Sequence, residues 1–308
     1  MHCTHSLNSE YQIKKNNPGK ISKFRTHVSS CLQFALLIVI SGLIVNTFSI
    51  TPALAQGNLL ITPKRVVFEG SKKIQDLNLA NIGKDTARYA LSVVEIRMKE
   101  DGSFETITEP DSGQNFASPY LRFFPRNVVL GPNESQLVKV QLSKTSGLAD
   151  GEYRSHVYFR AVREEKPLGE IEARVDSGSI SVSLIPVFGI TIPIIIRVGN
   201  LKEETSITDL KFGMKDTTPA VEITFNRTGT MSVYGDVKVD HIAPDGTITK
   251  VGQANGVAVY TPNAQRRFML SLKDYKAVDL KKGKLHVSFF TQSDLKPELI
   301  DDAEIILK

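Results

Sequence analysis

Ile180-Ser181-Val182-Ser183-Leu184-Ile185-Pro186-Val187-Phe188-Gly189-Ile190-Thr191-Ile192-Pro193-Ile194-Ile195-Ile196 carries an apolar residue at every even position. Side chains alternate faces along an extended chain, so these residues form one continuous apolar stripe. At about 3.3 Å per residue the stripe would run roughly 50 Å, well beyond an average strand. Pro186 and Pro193 lack the amide that a central strand donates, which predicts an edge strand, kinked near Gly189. An apolar edge of this kind either aggregates or docks a partner strand.

The first 55 residues predict an export signal. Lys14, Lys15, Lys20, Lys23 and Arg25 form a basic leader, Phe34 to Val45 an apolar run, and Ala53-Leu54-Ala55 a small-x-small cleavage site before Gln56. The alternative is an uncleaved anchor over Leu32 to Ile50, although Ser41, Gly42 and Asn46 interrupt that run. The segment holds five of the 38 Lys and Arg and one of the 33 Asp and Glu, so the remainder carries 33 against 32, a net charge of +1. No general attraction to nucleic acid or to an anionic membrane follows once the signal is removed. Cys3 and Cys31 leave with the segment, so the exported chain would fold without disulfides.

From Gln56 onward the pattern alternates at period two and predicts an all-β chain. Candidate strands are Leu59 to Phe68, Ile74 to Ala80, Ala87 to Met98, Tyr120 to Leu130, Gln136 to Leu142, Tyr153 to Val162 and Ile180 to Val198. Gly70-Ser71, Asp101-Gly102, Gly131-Pro132-Asn133 and Asp150-Gly151 mark turns between them. The apolar parity flips between Val93 and Val94, which predicts a bulge. A second set starts at Val221 and ends with Ala303 to Leu307, after a short polar hinge at Gly199 to Thr205. The expected organisation is a signal at 1–55 and two β-sandwich domains in tandem, at 56–199 and 200–308.

No HExxH, CxxC, G-x-S-x-G or Walker-type loop is present. His156, His241 and His286 stand singly and read as surface or rim histidines. Glu164-Glu165 lies in a charged loop and reads as a solvated face. Neither catalytic residues nor a metal site nor a cofactor is expected, and the chain reads as a non-enzyme.

Three segments resemble the periplasmic chaperones of pilus (fimbrial) assembly. Ile61-Thr62-Pro63-Lys64-Arg65-Val66-Val67-Phe68-Glu69-Gly70 is similar to their first strand, where an arginine precedes an apolar pair and Phe-Asp/Glu-Gly. Phe124-Pro125-Arg126-Asn127-Val128-Val129-Leu130-Gly131-Pro132-Asn133-Glu134-Ser135-Gln136 resembles their marked turn into a following strand, and Glu152-Tyr153-Arg154-Ser155-His156-Val157-Tyr158-Phe159-Arg160 the strand before the donor strand. The resemblance covers roughly residues 59 to 199 and implies immunoglobulin-like sandwiches. It also implies a periplasmic location and donor-strand complementation of pilin-like secreted subunits for surface fibre assembly and cell wall organization. An outer-membrane usher is the further partner so implied.

In that family a cleft arginine and a donor-strand lysine grip the client's terminal carboxylate. Arg65 matches the arginine, and the resemblance makes Ile180, Val182, Leu184 and Phe188 the donor side chains, with Ile190 to Ile196 tying the strand into its own sheet. The positions before Ile194-Ile195-Ile196-Arg197 hold no lysine, a departure that removes one charge-assisted bond of roughly 1.5 to 3 kcal/mol. The alternative for Arg65 is an arginine snorkelling at a sheet edge. The charged loop Arg163 to Ser179 is expected to order when a client docks. The rival reading is a structural or adhesive surface protein whose tandem sandwiches bind a ligand or self-associate through the same edge.

Overall fold

The computed structural model describes residues 58–162, 187–293 and 296–307. The export segment, the charged loop and Ile180, Val182 and Leu184 lie outside the described residues. In chain order the first strands are β1 (Leu59–Thr62), β2 (Val66–Phe68), β3 (Ile74–Asn81), β4 (Ala87–Val94), β5 (Ile96–Met98) and β6 (Phe104–Thr106). They continue with β7 (Leu121–Phe124), β8 (Asn127–Leu130), β9 (Ser135–Leu142), β10 (Gly151–Val162) and β11 (Gly189–Val198). One sheet has the order β1-β3-β9-β7 and the facing sheet β2-β11-β10-β4-β8. Pro63 to Arg65 breaks the first strand and Pro125-Arg126 the fourth, so each contributes a half to both sheets. A proline cannot donate to a ladder, which makes these the natural places to change sheet. The result is an immunoglobulin-like sandwich.

Alternation dictates its core. Leu77 and Leu79 of β3, Val138 and Val140 of β9, Val157 and Phe159 of β10, and Ile192, Ile194 and Ile196 of β11 meet in one cluster. Across the turn after β3, the buried Asn81 amide donates to the carbonyls of Asp85, Leu130 and Gly131 at 2.7, 3.1 and 3.0 Å. It supplies partners that the strand ladders leave out.

The second group of strands is β12 (Glu203–Lys215), β13 (Thr218–Gly229), β14 (Val233–Ile242), β15 (Ile248–Val259), β16 (Gln265–Ser271), β17 (Lys284–Thr291) and β18 (Leu299–Ile306). They form the sheets β12-β13-β16 and β15-β14-β17-β18 around Val221, Ile223, Phe225, Val237, Val239, Leu285, Val287 and Phe289. No helix among the described residues is long and apolar enough to cross a membrane.

Three local expectations are corrected. Glu203 to Thr205, expected in the hinge, belongs to β12. Its pairing with β13 slips between Thr208 and Lys211, where Asp209 has φ 51°, so the inward parity changes and hides the alternation. The parity flip near Val94 marks a departure instead of a bulge: pairing with β10 ends at Val94, and β5 and β6 leave the sheet as a separate hairpin. His156 and His241 are buried, because the faces that carry them are covered.

Candidate functional site: the cleft and the free edge of β11

The polar face of β10 carries Glu152, Arg154 and His156, while its opposite face lines the first core. A charged face on a strand ordinarily meets water. Here the second sandwich covers it, and each group must find a partner. Glu152 Oε2 accepts from Arg197 Nε at 3.0 Å, from the Ser232 amide at 3.0 Å and from Ser232 Oγ at 2.9 Å. Its Oε1 accepts from Thr261 Oγ1 at 3.3 Å. Arg197 also donates to Glu69 at 2.6 Å and to the Ser232 carbonyl at 3.0 Å. One buried carboxylate and one arginine thus join β10 and β11 to the start of β14.

Tyr260 stands beside this network. The Arg154 guanidinium lies 4.2 Å from its ring centroid, and Met98, Ile195 and Ala258 pack around it. Nε and Nη1 of Arg154 have no hydrogen-bond partner among the described residues, and burial lowers the pKa of this guanidinium. The His156 ring meets Tyr260 and Phe104 edge-on, at centroid distances of 6.3 and 6.0 Å. Burial first, then the charges of Arg154 and Arg65, push its pKa down to about 3, so His156 is a neutral interface group.

Arg65 occupies the break between β1 and β2. It does not snorkel at a sheet edge: its guanidinium crosses to the second sandwich, 4.6 Å from the Tyr234 ring and 5.6 Å from that of Tyr260. Nη2 donates to Ser232 Oγ at 3.2 Å, while Nη1 is buried with no partner among the described residues. Burial lowers its pKa, and Tyr260 and Glu152 oppose that shift. A cavity of about 530 Å³ adjoins it, lined by Lys64, Tyr234, Asn255 and Gln292 among others. Pro193 directly precedes Ile194, the parallel partner of Val66, the residue after Arg65.

On the far side of the cleft the β5–β6 hairpin holds the second sandwich again. The Arg267 amide donates to the Glu100 carbonyl at 2.6 Å, Arg267 Nη2 pairs with Glu100 at 3.2 Å, and Asn263 Nδ2 donates to the Met98 carbonyl at 2.8 Å.

β11 has two unlike ends. From Ile194 to Ile196 it is bonded on both sides, antiparallel to β10 and parallel to β2. From Gly189 to Pro193 it pairs with β10 alone, and no other described strand meets its outer edge. Val187 and Phe188 lead into that free edge and are 54% and 42% exposed. Of the residues singled out from the sequence, Arg65 and Phe188 are thus placed at the cleft and at the mouth of the free edge. Glu152, Arg154, Arg197 and Tyr260 were not anticipated. For Glu152 and Arg154 the signal is charge at alternate positions of β10, which reads as solvent-facing until a second domain covers it. Among the described residues no group of three or more His, Cys, Asp or Glu could hold a metal ion.

No family model and no curated protein sequence matches the chain. Among solved structures, it is similar to the YadV chaperone at 13% identity and a TM-score of 0.38, over 81% of this chain and 100% of that one. It is also similar to the Pseudomonas aeruginosa CupB2 chaperone at 12% identity and a TM-score of 0.41, over 81% and 100%. A chain in the Salmonella enterica SafA pilin complex with the SafB chaperone is similar to it at 12% identity and a TM-score of 0.39, over 81% and 96%.

Proposed function

We propose that this protein is a periplasmic chaperone that lends a strand to secreted pilin-like subunits for assembly into a surface fibre. The observation that carries the reading is the free edge of β11, anchored at Ile194 to Ile196 and preceded by the exposed Val187 and Phe188. An open edge with apolar neighbours invites another strand: main-chain bonds give affinity, and alternate side chains give specificity. Ile180, Val182, Leu184 and Phe188 are the donor side chains in this reading, and Arg65, whose Nη1 has no partner among the described residues, contacts the client terminus. Handing the client to an outer-membrane usher is the next step of the same proposal.

The test is capture of a strand-deficient subunit from periplasmic extract by the tagged protein and by a Val182→Glu/Leu184→Glu variant. Capture by the wild type alone, with both proteins melting cooperatively, supports the reading. Loss of the cooperative melt in the variant would make these residues core and sink it. Self-association of the wild type through the same edge, with no captured subunit, would favour the surface-protein reading.

A further inference from the structure

Gly189 opens the free part of β11, and its backbone is in an ordinary extended region, not the left-handed one. Conformation therefore does not demand a glycine. What fills the space is Tyr158: a Cβ on Gly189 would lie 2.0 Å from Tyr158 Cε2 and 2.5 Å from its Cζ, so a larger residue could stand there only with the ring swung aside. Tyr158 pairs with Thr191 and Arg160 with Gly189, so Tyr158 is the diagonal neighbour of Gly189 on the same sheet face. The aromatic ring lies across the glycine backbone, an arrangement that stiffens an edge glycine by covering it. Thr191, beside Tyr158, is exposed, so this cover stands at the start of the unpaired edge and outside the core.

We infer that Tyr158 is a positioning residue for strand capture: its ring, laid over Gly189, holds the outer edge of β11 straight at the point where a bound strand begins to pair. The inference rests on the donor-edge reading above. The occupant is an extended β-strand with alternating apolar side chains, because from Gly189 toward Pro193 no described strand pairs with the outer edge, and an apolar pair, Val187 and Phe188, flanks it. Without the ring, an uncovered glycine would sample many conformations and blur the edge. With a Cβ at 189, ring and strand would be forced apart.

The experiment measures binding of a fluorescent, lysine-flanked peptide of alternating threonine and valine to five forms of the full chain, wild type and four variants, with thermal melts alongside. Relative to wild type, Gly189→Ala should weaken binding about tenfold, the equivalent of ~1.4 kcal/mol. Tyr158→Phe should bind as wild type, and Tyr158→Ser should lose several-fold. Adding Gly189→Ala to Tyr158→Ser should then recover affinity, so the same alanine harms beside the ring and helps without it. Gly189→Ala binding at wild-type strength, or no recovery in the double variant, would overturn the inference while leaving the donor edge intact. If Gly189→Ala does not fold, equal binding by Tyr158→Phe and Tyr158→Ser is the overturning result. No binding by the wild type would remove the free-edge reading itself, and this inference with it.

Discussion

The two ends of β11 share one alternation and one partner strand, yet differ in what covers them. Ile194 and Ile196 are buried between sheets and bonded on both sides, while Val187 and Phe188 are exposed beside an edge bonded on one. Periodicity sets which face is apolar. Neighbours decide whether that face is core or a surface offered to something else.

The sharpest way to break this contrast is to attack the anchored end. Arg197→Ala would strip the buried Glu152 of the one cation within ion-pair distance among the described residues and should lower stability by ~3 to 5 kcal/mol, read by denaturant titration. A loss below ~1 kcal/mol would mean that Ser232 and Thr261 suffice to hold the carboxylate. Ile194→Ala, at a fully buried site, should cost ~2 to 5 kcal/mol in the same assay.

Midway along the strand, Pro193 faces His156. The pKa of His156 is held near 3 in the folded protein and is near 6.5 when unfolded, so the unfolded chain binds the extra proton. Stability should therefore fall as pH drops from about 6.5 toward 3, by up to ~1.4 kcal/mol per pH unit from this group. Glu95, whose pKa burial raises, takes up its proton first in the folded state and pulls the other way. His156→Gln should flatten the profile in that window; an unchanged slope would assign it to other groups. The smallest effect belongs to the free end: Phe188→Ser should change stability by less than ~0.5 kcal/mol while weakening strand-peptide capture. A large stability loss there would erase the contrast between the two ends.

Much of this fold was legible because sandwich strands write their burial at period two. The stripe through Ile190 to Ile196 and the turn at Gly131-Pro132-Asn133 found their places, while the strand read as continuous from Leu59 to Phe68 is broken at Pro63 to Arg65. β12 was not legible, since the irregularity at Asp209 shifts its inward positions from Ile207 to Leu210 and Phe212. The cleft was legible only at Arg65. Glu152, Arg154 and His156 alternate with Tyr153, Ser155 and Val157 as a wetted strand would, and covering by Tyr260 and Ser232 makes that face interior. Burial imposed by a distant domain leaves no local periodicity to read.

The hairpin of β5 and β6 gives the cleft a second tether. Glu100 and Met98 hold Arg267 and Asn263 on one side, while Glu152 and Arg197 hold Ser232 on the other. Rotation about either tether alone is resisted by its counterpart, so the angle between the sandwiches is preorganised. A partner of the kind proposed would find these walls already set and need not supply the free energy of ordering them. Selectivity would then fall on the shape of that partner, with little allowance for the protein to adjust to it.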